Sequence, residues 1–221
     1  MRVGIFDSGV GGISALMHFR RLMPGADAVF YADKENAPYG TKSVSELIPL
    51  VTNDITRLAD LGAERVLMAC CTASTVYEKL PWEQKRIAIP IIDCTAEAAC
   101  RVSRTGRIGV LSTEATRRSG AFVRSILRRC PSAEIVSASA GELVTLAEAG
   151  FSDADISGAA KDTLRRALAP FLGSGIDTLI LGCTHFSYFE EHVSDMLGVT
   201  TVNSAKEGAV ALAAEVSRLK L

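Results

Sequence analysis

Long apolar runs are missing from this sequence. None approaches the roughly 18 residues of a membrane-spanning helix, so a membrane protein is not expected. An excess of charge of one sign is also missing. Lys and Arg number 24 against 25 Asp and Glu, a formal net charge of −1, so no basic field favours nucleic acid. Cysteine is sparse: the six thiols at 70, 71, 94, 100, 130 and 183 are too few for a disulfide scaffold. Free thiols in a reducing cytosol are expected instead. The chain begins on a strand-like Arg2-Val3-Gly4-Ile5-Phe6 with no signal-peptide layout, which points to a cytoplasmic protein. The dinucleotide pattern G-x-G-x-x-G is absent, because the first glycine cluster falls at 9, 11 and 12, and there is no G-x-x-x-x-G-K-[ST] phosphate loop. Low-complexity and linker segments are absent as well.

What remains is a soluble, core-forming composition: 221 residues, 48% hydrophobic and 22% charged, enough for one large domain or two small ones. Short apolar runs bounded by small residues predict strands at Val3–Phe6, Ala28–Tyr31, Arg65–Ala69, Ile89–Ile92, Arg107–Leu111, Glu134–Ser137, Thr178–Leu181 and Thr200–Val202. Helical periodicity between them is clearest at Val44–Leu61, Ser119–Arg129, Ile156–Leu172 and Ala205–Leu219. Such alternation predicts an α/β fold with parallel sheets flanked by helices. A weak internal repeat aligns Arg2–Ser8 with Arg107–Thr113, and the segment around Cys70 with the segment around Cys183. The inference is two pseudo-symmetric α/β lobes, each supplying a hydroxyl-bearing loop and a Cys-bearing loop.

Cys70 and Cys183 each close an apolar run and are followed by Thr, directly or one residue later, in Ala69-Cys70-Cys71-Thr72 and Gly182-Cys183-Thr184-His185. Ligands of open α/β sheets bind beyond the carboxyl ends of the strands, so the two thiols could face one pocket from opposite sides. That arrangement suits removal of a proton from one face of a carbon and its return on the other. Buried space-filling is the plainer reading of either Cys. A zinc site from Cys70, Cys71, Cys183 and His185 is disfavoured because adjacent cysteines lack the C-x₂₋₄-C spacing. A redox pair is disfavoured because C-x-x-C is absent. His185 is either structural or a polariser of Cys183.

Other loops have two readings each. Asp7-Ser8-Gly9-Val10-Gly11-Gly12 follows the first strand and leads into a helix near Ile13. Asp7 there is a helix cap, a substrate ligand, or both. Pro38-Tyr39-Gly40-Thr41-Lys42-Ser43 is a turn into the Val44 helix whose amides could bind a carboxylate. Thr113 and Thr116, three apart at a helix start, suit capping or anion binding.

Taken in order, these segments resemble the glutamate racemase family, within the cofactor-independent aspartate/glutamate racemases. The segments are Asp7–Gly12, Pro38–Ser43, Ala69–Ser74, Gly109–Gly120 with its Thr-x-x-Thr, Leu146–Gly150 with Glu148, and Leu181–Phe186. The resemblance implies an isomerase that interconverts L- and D-glutamate without a cofactor or metal, supplying D-glutamate for peptidoglycan, cell wall biogenesis and cell shape. It implies two pseudo-symmetric lobes with the active site in the cleft between them. The chain would return to the first lobe at its C-terminus, which divides it into 1–92 plus 205–221 and 93–204. A homodimer acting on a small amino acid, with no nucleic acid or membrane partner, is also implied.

Carried over by residue, Cys70 and Cys183 are the acid/base thiols. Asp7 assists Cys70, His185 assists Cys183, and Glu148 is a further carboxylate near the site. Ser8, Cys71, Thr72, Thr184 and the Tyr39-Gly40 backbone would hold the amino and α-carboxylate groups, with Asp7 and His185 also in contact. Thr113 and Thr116 would hold the side-chain carboxylate. The chain departs from the family pattern at several points. Cys71 replaces an Asn, Ala140-Gly141 a Cys-Pro, Phe186-Ser187-Tyr188-Phe189 a Tyr-Pro-Leu-Leu, and Asn203 an Asp. Cys71 raises two alternatives: a racemase for aspartate or another amino acid, and a non-catalytic ligand-binding protein on the same scaffold.

Overall fold

Among the described residues eight short apolar runs form eight parallel strands, which divide equally between two sheets. The computed structural model describes residues 1–150 and 158–219. The strands are β1 (Arg2–Asp7), β2 (Asp27–Ala32), β3 (Ala63–Met68), β4 (Ala88–Pro90), β5 (Arg107–Ser112), β6 (Glu134–Ser139), β7 (Thr178–Gly182) and β8 (Thr200–Asn203). The helices are α1 (Ile13–Leu22), α2 (Val44–Asp60), α3 (Cys71–Ser74), α4 (Trp82–Lys85), α5 (Ile91–Val102), α6 (Glu114–Ser119), α7 (Ala121–Arg129), α8 (Gly141–Glu148), α9 (Ala159–Leu168), α10 (Glu190–Leu197) and α11 (Ser204–Leu219).

The two sheets have the same topology, β2-β1-β3-β4 and β6-β5-β7-β8. This matches the internal repeat strand for strand: β1 corresponds to β5 and β3 to β7. In each sheet the order reverses between the two central strands, β1 and β3 or β5 and β7. A crevice therefore opens beyond their carboxyl ends. Asp7 ends β1 and Cys70 follows β3, while Ser112 ends β5 and Cys183 follows β7.

The core follows the period-two alternation of the strands. Val3, Ile5 and Leu67 from one sheet, and Ile108, Val110 and Ile180 from the other, join one common core. The opposite faces feed separate clusters. Phe6, Val66 and Met68 pack under Leu47, Val51 and Ile55 of α2. Leu111, Leu179 and Leu181 pack with Leu143 of α8 and Leu164 of α9. Helix α11 packs against α1, α5 and β3. Its start is capped by Asn203, whose Oδ1 accepts from the Ala205 amide at 3.0 Å. The Asn203 amide also donates to Glu190 Oε2 at 2.7 Å, which a carboxylate at this position could not do.

Several expected boundaries shift by a residue or two, and three shifts are informative. The fourth strand ends at Pro90, and Ile91 and Ile92 already belong to α5; a proline ends the ladder on this edge strand. The helix expected at Ser119–Arg129 is α7 and begins at Ala121; Ser119 closes α6, and Gly120, whose φ of 65° is left-handed, separates the two. In the Ile156–Leu172 segment the helix covers Ala159–Leu168, followed by a 3₁₀ turn at Ala169–Phe171. Ile156 and Ser157 of that expectation lie outside the described residues.

Candidate active site

A cavity of about 380 Å³ lies between the two sheets at their carboxyl ends. The first lobe contributes Asp7 and Ser8 after β1, Ala37–Thr41 after β2, and Cys70, Cys71 and Thr72 after β3. The second contributes Thr113 and Glu114 after β5, Gly141, Val144, Thr145 and Glu148 of α8, and Cys183, Thr184 and His185 after β7.

The thiols occupy equivalent positions. Cys70 is the residue before α3, and Cys183 the residue before the 3₁₀ turn Thr184–Phe189. They are 7% and 8% exposed. Burial pushes the Cys70 thiol up to about 11, and the neighbouring Asp7 carboxyl adds to this. Opposing contacts come from the Ser8 hydroxyl and the Ala73 and Ser8 amides. Burial also pushes Cys183 up, opposed by the His185 amide. N–H and O–H groups directed at sulfur favour the thiolate.

Each thiol has a polar escort. Ser8 Oγ lies 3.5 Å from Cys70 Sγ and donates to Asp7 Oδ1 at 3.3 Å. Asp7 thus reaches Cys70 through Ser8. On the other side Cys183 Sγ lies 3.6 Å from His185 Nδ1. His185 Nε2 is 3.4 Å from Glu148 Oε1, an ion-pair separation without hydrogen-bond alignment. Burial raises the Asp7 carboxyl, while His185, Thr184, Gly9 and Ser8 pull it down.

The two lobes are in contact at this floor. Thr184 Oγ1 donates to Asp7 Oδ2 at 2.8 Å. The approach depends on Gly11, where a Cβ would fall 2.5 Å from Thr184 Oγ1 and 2.9 Å from the His185 ring. A second bridge joins Thr72 Oγ1 to Thr113 Oγ1 and to Thr116 Oγ1, each at 3.1 Å. Thr113 also caps α6 by accepting from the Thr116 amide at 3.3 Å, so the capping reading holds for it.

Nearly all the residues singled out from sequence line the cavity. Thr116 does not: it is buried behind Thr72 and Thr113 and bonds to both. Gly141, Val144 and Thr145 were missed. Their signal was the spacing 141, 144, 145 and 148, one face of a helix that ends in Glu148.

Fold and cleft together define the class: a two-lobed α/β racemase. A model of the Asp/Glu/Hydantoin racemase family matches residues 14–212, and the chain belongs to that family. Among its relatives, a glutamate racemase of Desulforudis audaxviator is 36% identical over 219 residues, 99% of this chain and 79% of that protein. The crystal structure of a glutamate racemase isoform from Bacillus anthracis superposes with a TM-score of 0.87 at 29% identity, covering 98% of this chain and 82% of the other. A glutamate racemase from Francisella tularensis in complex with D-glutamate gives 0.89 at 26% identity, covering 99% and 82%. Among the described residues no helix is long and apolar enough to cross a membrane.

Proposed function

We propose that this racemase interconverts L- and D-glutamate by two-base proton transfer at Cα. The observation that carries the reading is the placement of Cys70 and Cys183 at equivalent strand ends, both lining one cavity. Cys183 as thiolate takes the Cα proton of L-glutamate, forming its S–H bond. The C–H electron pair passes into the Cα–carboxylate system. The Cys70 thiol then gives its proton to the opposite face of Cα and is left as thiolate. D-Glutamate runs the same steps in reverse.

The charge that develops on the α-carboxylate needs preorganised donors. Backbone amides of the Ser8, Thr72, Thr184 and Tyr39-Gly40 segments serve this role, because the Ser8 and Thr184 hydroxyl hydrogens go to Asp7. Asp7 and the hydroxyl oxygens accept from the ammonium group. Thr113 receives the side-chain carboxylate, and Thr116 supports Thr113 from behind. Both thiols are pushed up by burial, so in the empty cavity the neutral forms dominate. The substrate ammonium supplies the positive charge that favours a thiolate. His185 with Glu148 serves Cys183, and Asp7 through Ser8 serves Cys70.

The same reading includes D-glutamate supply to peptidoglycan, and hence to the cell wall and cell shape, a cytoplasmic location and a homodimer. It also divides the lobes at 1–92 plus 205–221 and 93–204, supported by the packing of α11 on α1 and β3. The test is circular dichroism of L- and of D-glutamate in deuterated solvent. The signal should decay to zero with deuterium entering at Cα, and Cys70→Ser and Cys183→Ser should each abolish the decay. Full activity in both variants would overturn the two-thiol reading. Preferential racemisation of aspartate in an amino-acid panel would overturn the substrate.

A further inference from the structure

Tyr39 is buried with its hydroxyl between two carboxyls, 2.6 Å from Asp33 Oδ2 and 2.6 Å from Asp54 Oδ2. Asp33 follows β2, and Asp54 lies in α2; they are 3% and 1% exposed. A tyrosine hydroxyl carries one hydrogen and can donate to only one of them. The second short O···O contact needs a hydrogen of its own, so one carboxyl must be protonated. Asp33 is equipped for charge, because the Asn36 amide donates to both its oxygens at 3.0 Å. Asp54 is not, because its Oδ1 is buried without a hydrogen-bond partner. The neutral acid is therefore Asp54, which donates to Tyr39, which donates to Asp33.

The surroundings agree. Burial pushes Asp54 up to about 7, the Asp33 charge adds to this, and Arg57 opposes it. Arg57, on the same helix, is turned onto Tyr31 of β2, 3.3 Å from its hydroxyl and stacked over its ring. Strands β1 and β3 present Phe6, Val66 and Met68 to α2. From α4, Gln84 bonds Thr56, and Lys85 pairs with Glu78.

We propose that Asp54 is a positioning residue: its resident proton closes an Asp54–Tyr39–Asp33 chain that fixes the Pro38–Thr41 loop against the cavity and so sets affinity for the substrate. This rests on the reading that the Tyr39-Gly40 backbone holds substrate. When Asp54 loses its proton, two carboxylates compete for one hydrogen and repel across Tyr39. The loop loosens, while the thiols are untouched.

The experiment is KM and kcat for L-glutamate below and above pH 7, in the wild type and in Asp54→Asn, whose amide donates to Tyr39 at every pH. The wild-type KM should rise about tenfold across the Asp54 titration and then level off, with kcat following the thiols alone. The Asp54→Asn KM should stay at the low-pH value. A flat wild-type KM, or a parallel rise in the variant, overturns the proposal. The wild type also gives a readout independent of turnover: the infrared C=O band of a protonated carboxyl, lost on passing above pH 7 and missing in Asp54→Asn. Absence of that band overturns the shared proton even in an active enzyme. Absence of turnover at every pH overturns the functional reading and the positioning role, with the band still reporting the proton.

Discussion

Thr184 of the second lobe donates its hydroxyl hydrogen to Asp7 of the first at 2.8 Å. That one carboxyl also accepts from the Gly9 amide at 3.1 Å and from Ser8, which touches Cys70. A single buried group therefore ties the escort of one thiol to the loop that carries the other. Thr184→Val keeps the shape of the side chain and removes the donor. It leaves a buried Asp7 oxygen unpaired, at a cost of about 1–3 kcal/mol. The thermal midpoint should fall, kcat/KM should fall about tenfold or more, and Thr184→Ser should restore both. A Thr184→Val protein with unchanged melting and kinetics would contradict the clasp.

Enantiomers in water have equal free energy, so kcat/KM must be the same in both directions for the wild type and every variant. Asymmetry between the thiols has to be read from isotope effects. His185 stands 3.6 Å from Cys183, and Ser8 stands beside Cys70. His185→Asn should slow the proton transfer at Cys183. With deuterium at Cα, the isotope effect should grow for L-glutamate more than for D-glutamate. Equal growth in both directions would remove the assignment of Cys183 to the L face.

Thiol reactivity tests the electrostatics of the unliganded cleft. With Cys70 pushed up to about 11 by burial, its thiolate fraction near neutrality is small. Alkylation of Cys70 by iodoacetamide, followed by peptide mass spectrometry, should accelerate about tenfold per pH unit up to that value. Cys183, also pushed up by its burial, should likewise react faster as pH rises, and glutamate should protect both. A plateau in the Cys70 rate near neutral pH would show a thiolate already stabilised without substrate.

Much of this site is legible in the sequence because strand ends are legible. The runs closing at Cys70 and Cys183 are apolar, partly β-branched and bounded by small residues, and parallel sheets place such ends around one crevice. The repeat told that two similar lobes would each supply a hydroxyl-bearing loop and a Cys-bearing loop. Gly120 escaped because the pattern read from Ser119 runs straight across it, and only its left-handed φ separates α6 from α7. Thr116 was misplaced because spacing on α6 cannot say which hydroxyl faces the cavity and which faces Thr72. Asp33 and Asp54 were invisible for a stronger reason. Polar residues in an amphipathic helix read as its solvated face. Only the folded position of the Tyr39 turn over α2 converts Asp54 into a buried acid.

Cys71 lines the cavity where the family pattern has Asn. Its thiol is pushed well above its ordinary range by burial and by Cys183. Its polar neighbour is Ser204, whose buried hydroxyl has no other hydrogen-bond partner among the described residues. A neutral thiol is a weak donor, so it does little for a carboxylate or ammonium group. Cys71→Asn should therefore lower KM for glutamate and change kcat by less than about tenfold, since neither base is altered. The extra amide also gives Ser204 a proper partner, so the melting temperature should not fall. A switch of preference from another amino acid to glutamate would instead identify Cys71 as the substrate selector.

Asp54 makes a prediction about stability that is separate from catalysis. Its carboxyl is raised in the folded protein from an ordinary value of 3.8 to about 7. The folded state therefore holds a proton that the unfolded chain releases as pH rises above about 4. The stability from this group is fully present below that pH, is lost progressively up to about pH 7, and changes no further above it. Asp54→Asn has no such proton to lose. The urea-denaturation free energy of the wild type, minus that of Asp54→Asn, should fall across this window and then level off. Subtracting the variant cancels contributions from Asp7, Asp177 and other carboxyls that titrate in both proteins. A difference that is constant with pH would mean that Asp54 is already ionised in the fold, and that Tyr39 stands between two charges.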